Sequence, residues 1–345
     1  MCSNKWLEVT FITETIGFFM CVLSHSFLLF LIGKSDKRKF GSYKYLMICF
    51  SALGIFYSSC NFWCKPVSIK QSICLQYRTY INLLRCSSQC PYHRNYFRHL
   101  HCSGTLENVQ ILWNPIYSSC FAMILCLLTV QFYYRFISVT TPLTLTEKFS
   151  WRTAPRYLIL VLGFSTVWGS LTFFVNGPSE LKDLELNPEF QKVYCLDSTD
   201  FAYIAAKYFY NNSQNGFEKI IHWPSIIVIS VMTPMMSATF SCLLFFGIKT
   251  YSSLNKTRLS SAGKKDMQHQ LFRTLVIQTC IPTIFMYLPV SCLFYFPLFG
   301  FTVPELQHLI PIFVSIYPCL EPLVAMYFIR HFRSKIYGKD IQIHL

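Results

Sequence analysis

The sequence is poor in charge. Asp, Glu, Lys and Arg together make up 13% of it, where a soluble domain carries about 25%. That scarcity excludes an ordinary water-soluble fold. A cleavable signal peptide is also missing. The first apolar run, Val9 to Gly33, is too long for a signal core and lacks a clear small-residue cleavage site. It is expected to be a first membrane span that acts as its own targeting signal. Regular metal-ligand spacing is absent too. Cys86, Cys90, His93, His99, His101 and Cys102 have zinc-like composition, but neither pair matches a finger or a ribbon. No metal and no cofactor is therefore expected. No run carries a paired acid–base constellation, which argues against an enzyme. Internal repeats and inverted-repeat symmetry of the transporter kind are lacking as well.

What the chain has is apolar length. Hydrophobic residues reach 53% and aromatic residues 17%, and they gather in seven runs. These lie at about 9–33, 45–64, 113–139, 157–176, 223–251, 271–299 and 308–331, and a bilayer core takes about 20 helical residues. The pattern predicts an all-α membrane protein, a seven-transmembrane helix bundle over 1–338 with a short tail at 339–345. The net charge of +14 sits in short basic clusters between the runs, the habit of cytoplasmic loops rather than of a nucleic-acid surface. With the N-terminus outside, the inner segments hold 19 of the 30 basic residues and four acids. The expected orientation is therefore N-terminus outside, C-terminus cytoplasmic. Many of the sixteen cysteines, among them Cys21, Cys49, Cys126, Cys242, Cys280, Cys292 and Cys319, lie inside apolar runs, where a thiol behaves as a small hydrophobe. The sequon at Asn211 falls outside and is open to glycosylation.

The last run, His308 to Tyr337, has more in it than an anchor needs. Pro318 and Pro322 remove backbone donors and force a kink, and Glu321 sits where the helix restarts. An ionisable group at membrane depth is costly, which marks it as functional. The tail from Arg330 reads as a short interfacial helix. In the sixth run, Pro282 and Pro289 are either tolerated kinks or hinges. Arg135 ends the third run after Phe132, Tyr133 and Tyr134. By itself that hexapeptide favours a basic residue snorkelling beside an aromatic belt.

Several segments together resemble the nematode seven-transmembrane chemoreceptors of the Str type, which are rhodopsin-like G-protein-coupled receptors. They are FGSYKYLMICFSALGIFYS with Lys65-Pro66, FYYRFISV, QLFRTLVIQTCIPTIFMYLPVSCLFYFPLFG and SIYPCLEPLVAMYFIRHFRSKI. Family members usually carry Asp before the second proline of the seventh span; Glu321 keeps that charge. Residues 73–110 depart from the family, with Arg, His, Cys and Tyr in no pattern. The segment is an unusual outer loop or the product of a misplaced exon boundary, and transcript sequencing separates the two.

The resemblance implies a receptor that binds a small-molecule odorant and activates a heterotrimeric G protein, at the plasma membrane of a chemosensory cilium. It gives Arg135 a second reading, as the switch arginine of such receptors, with Tyr134 in place of the usual acid. Pro282, Pro289, Pro318, Glu321 and Pro322 would form the moving parts of spans six and seven. A ligand pocket is expected between spans three, five, six and seven, lined by Tyr117, Phe121, Met232, Met236, Tyr287 and Phe313. Cys120 and Cys195 would be the disulfide that joins span three to the second outer loop. The inner basic face would meet the G protein or anionic membrane lipids. The competing classes are an odorant-gated channel or transporter, for which only Glu14, His25 and Glu321 offer ionisable groups within the spans, and a non-functional family member.

Overall fold

A chain this apolar must satisfy its backbone internally, because the hydrocarbon core has no water to do it. The computed structural model describes residues 5–35, 43–64, 73–76, 105–177, 179–184, 187–188, 203–211, 219–256, 262–301 and 304–336. Among them, seven helices are long and apolar enough to cross a membrane. They are α1 (Lys5–Gly33), α2 (Tyr43–Cys64), α3 (Thr105–Thr140), α4 (Ala154–Asn176), α5 (Trp223–Lys256), a sixth span in two pieces, and α8 (Pro304–Phe328). The sixth span consists of α6 (Ala262–Pro282) and α7 (Leu288–Leu298), joined by a π-turn over Thr283–Tyr287.

The π-turn lies between the two prolines that the sequence marks as kinks. Pro289 cannot donate to the carbonyl four residues back, and the ladder widens just before it, with Leu288 N bonding Thr283 O. Pro282 and Pro289 are both buried.

α3 and α8 are the central elements, more deeply buried than α4. α3 packs against α2, α4 and α5, while α1 packs against α8 and α2. The α3–α4 seam is joined by small polar contacts: Trp168 Nε1 donates to Ser118 Oγ at 3.0 Å, and Ser118 Oγ lies 2.9 Å from Thr172 Oγ1. Such hydrogen bonds hold helices together where no water competes for them. Lys182 caps the end of α4, its ammonium donating to Val175 O at 2.7 Å and Gly177 O at 2.8 Å, carbonyls the helix end leaves open.

Two short antiparallel pairs lie outside the helices. β1 (Ile73–Gln76) pairs with β2 (Tyr203–Ala206), and β3 (Phe209–Asn211) pairs with β4 (Lys219–Ile221). Of the atypical segment 73–110, the structure describes β1 and the first turns of α3; residues 77–104 lie outside the described residues.

The seventh helix ends at Phe328, short of the 308–331 limit expected from hydropathy, and α9 (Arg330–Ile336) follows at once. The break lets Phe332 turn back into the core beside Ile329 and Met326. α9 is clipped to the end of α1 by Lys335 Nζ donating to Lys34 O at 2.7 Å and by His331 Nε2 at 3.1 Å from Ser35 Oγ.

Candidate functional site

Arg135 lies near the C-terminal end of α3 and is 2% exposed. Its guanidinium stacks 3.5 Å from the centroid of the Tyr43 ring, on the first turn of α2. Among the described residues, Nε and Nη2 have no hydrogen-bond partner, and none forms an ion pair with this side chain. Snorkelling to an exposed position is therefore not what this side chain does. A buried cation without an anion is costly, and the Tyr43 face offsets part of that cost. Tyr134 stacks on Tyr43 at 5.5 Å, its own ring centroid 5.8 Å from the guanidinium carbon, and meets Phe149 edge-on at 4.8 Å. Phe149 in turn stacks on Tyr157 at 4.8 Å and 3°. The aromatic run before Arg135 thus docks the α3–α4 connection.

The prolines of α8 leave carbonyls without helical donors, and neighbouring spans supply some. Pro322 has no N–H for Pro318 O; His25 Nε2, from α1, donates to that oxygen at 3.0 Å. His25 fits only because Gly54 faces it on α2, where a Cβ would stand 2.6 Å from Nε2. One layer away, Asn61 Nδ2 donates to Ser315 Oγ at 3.1 Å, and Gly17 lets α1 approach the Ser315 backbone. Gln278 Nε2, from α6, donates to Glu321 O at 3.3 Å. Glu321 is 7% exposed, and its carboxyl is within electrostatic reach of the Tyr317 hydroxyl and the Cys21 thiol. The kink is therefore held from spans one, two and six at once.

Five of the six expected pocket residues share one contiguous core. Tyr117, Phe121, Met232, Met236 and Tyr287 all belong to it, with Trp168 and Tyr317. Tyr287 lies in the π-turn, 6.3 Å from Phe121 and 6.0 Å from Phe240, with its hydroxyl 3.4 Å from Thr239 Oγ1. Tyr117 stacks on Tyr57 at 5.2 Å, and their hydroxyls lie 3.1 Å apart. Phe313 meets this core through Phe285, 5.5 Å away edge-on. Cys120 is buried beside Cys60. Its expected partner, Cys195, lies outside the described residues. Asn211 ends β3, opposite Lys219.

A sequence model of the serpentine-type seven-transmembrane GPCR chemoreceptors, Str, matches residues 10–337. The chain belongs to the Str family. Among the relatives of this Str protein is serpentine receptor class r-10 of Caenorhabditis briggsae, 27% identical over 341 residues, covering 98% of this chain and 92% of that one. The protein of the same name from Caenorhabditis elegans is 27% identical over 342 residues, covering 98% and 93%. G-protein coupled receptor str-33 of Caenorhabditis elegans is 23% identical over 318 residues, covering 92% and 86%. Squid rhodopsin superposes with a TM-score of 0.64 at 11% identity, over 99% of this chain and 88% of that one. This likeness shows the fold. A family of receptors, not of enzymes, with seven spans makes the Str protein a multi-pass membrane receptor.

Sequence reasoning missed Tyr43 as the partner of Arg135, although Tyr43 lies inside one of the family segments. Asn61 and Gln278 carried no signal of their own. His25 stood out only as an ionisable group in a span, and its pairing with Pro318 joins residues at opposite ends of the chain.

Proposed function

We propose that this Str protein is a chemosensory G-protein-coupled receptor that binds a small environmental chemical and activates a heterotrimeric G protein. The N-terminus lies outside, and the Arg135 end of the bundle faces the cytoplasm of a ciliated sensory neuron. The observation that carries the reading is Arg135 itself. A guanidinium buried with two unpaired nitrogens is expensive in the packing observed. It becomes useful if a second packing releases it to anionic or carbonyl groups of a partner. A ligand in the core around Tyr287 would favour that second packing by its differential affinity. The path between the two ends is short: Phe121 and Tyr134 both lie on α3, and Tyr287 sits in the π-turn above the inner half of span six.

The test is expression at the surface of a reporter cell, challenged with an odorant panel under a calcium or cyclic-nucleotide readout. A ligand-evoked response that disappears when the G proteins are blocked is the expected result. A ligand-evoked current that survives that block would overturn the reading in favour of a channel.

A further inference from the structure

Cys60 and Cys120 bring two thiols together from different spans. Cys60 lies four residues before the C-terminal end of α2. Cys120 lies five residues after Pro115, where the apolar span of α3 begins. At 1.5 Å per residue both sit about 6–8 Å inside the same end of the bundle. They are 1% and 2% exposed, side by side in the core, and both are thiols in this structure. Three residues earlier on each helix, Tyr57 and Tyr117 stack at 5.2 Å with their hydroxyls 3.1 Å apart. α3 is also tied to α4 through Ser118 and Trp168. Cys60 and Cys120 are therefore neighbours by helix placement rather than by a chance rotamer.

Cys21 and Cys319 show the contrast. They lie mid-span on α1 and α8, and each turns to a carbonyl: Cys21 Sγ donates to Gly54 O at 3.6 Å and Cys319 Sγ to Ile316 O at 2.8 Å. A thiol packed in apolar surroundings is inert, so a bond between Cys60 and Cys120 has to form before the α2–α3 seam closes. With the N-terminus outside, the ends of α2 and α3 that carry them face the secretory lumen during membrane insertion. That compartment is oxidising. One thiol, as its thiolate, attacks the disulfide of a lumenal oxidoreductase and forms a mixed disulfide, which the second thiol resolves. The two cysteines give up two protons and two electrons, and the oxidoreductase leaves as a dithiol.

We propose that Cys60 and Cys120 form a disulfide that staples the outer ends of α2 and α3. The bond closes the chain between them, which includes the atypical segment 73–110. It removes from the unfolded chain the freedom to separate those ends, so the seam is held whatever the intervening chain does. It also takes Cys120 away from Cys195, the partner that the family resemblance implies. The inference rests on the orientation given in the receptor reading; the bond itself needs no ligand and no G protein.

The experiment uses the full chain with an N-terminal epitope tag, expressed in eukaryotic cells. Thiols are alkylated in denaturant at lysis, and the purified receptor is digested without reduction for mass spectrometry. The expected result is a peptide pair joined through Cys60 and Cys120, still present in Cys195→Ser. Either cysteine alkylated, or joined to any other cysteine such as Cys195, would overturn the proposal. In lipid nanodiscs, Cys60→Ser should lower the melting temperature by about 5–10 °C. Adding Cys120→Ser should lower it no further, since one bond is lost either way. Additive losses would show two separate core groups and also overturn the proposal. Antibody binding to the tag on intact cells reads the orientation separately. A tag hidden from outside, with the joined peptide present, would sink the orientation and leave the bond standing. An exposed tag with both cysteines alkylated would do the reverse.

Discussion

If Arg135 is restrained by a ring rather than by an acid, removing the ring should release it. The guanidinium carbon lies 3.5 Å from the Tyr43 centroid, and the side chain is 2% exposed. At that burial a cation–π contact is worth about 2 kcal/mol, a factor of about 30 in an equilibrium constant. Suppose the resting receptor spends about 1% of its time in the active packing. Losing a contact made only at rest then raises that share to roughly a quarter. Tyr43→Leu should accordingly show high ligand-independent signalling, measured as basal cyclic-nucleotide or calcium level at matched surface density. Tyr43→Phe keeps the ring face and should stay near wild type, which separates the cation–π contact from any role of the hydroxyl. Tyr43 also packs with Tyr134 in the same cluster, so surface density is the control for folding. A Tyr43→Leu receptor that reaches the surface with wild-type basal signalling would refute the reasoning.

Two further predictions concern the seventh helix. His25→Leu removes the only side chain seen to serve Pro318 O among the described residues, at a cost of about 1–3 kcal/mol, and should lower the melting temperature of the purified protein. Pro322→Ala restores a backbone N–H to that same carbonyl, so the cost of His25→Leu should shrink in its background. Equal costs in both backgrounds would show that the hydrogen bond is not what His25 contributes. Glu321→Gln should reduce surface level or maximal response while leaving the rank order of agonists intact. A variant with normal signalling and a different preferred odorant would move Glu321 into the pocket.

The seven spans were legible because hydropathy reports directly on what a bilayer requires, and α1, α2 and α4 follow the runs closely. The kinks were legible as prolines, but their outcome was not. That Pro282 and Pro289 would enclose a π-turn depends on how the ladder is repaired, which is a three-dimensional matter. Arg135 was visible as a cation after aromatic residues, yet its partner was not. Tyr43 begins a different helix, and nothing in its neighbours distinguishes a stacking tyrosine from a belt residue. The strands β3 and β4 were hidden for another reason. At three residues each, in a polar loop, they are too short for alternation to register.

The central claim is that this Str protein switches a G protein through Arg135. Its most direct measurement is ligand-evoked signalling of Arg135→Ala against wild type, in the same reporter cells and at equal surface density. The account predicts that the response to an effective odorant is abolished while the odorant still binds the purified variant. An unchanged dose–response curve in Arg135→Ala would contradict it.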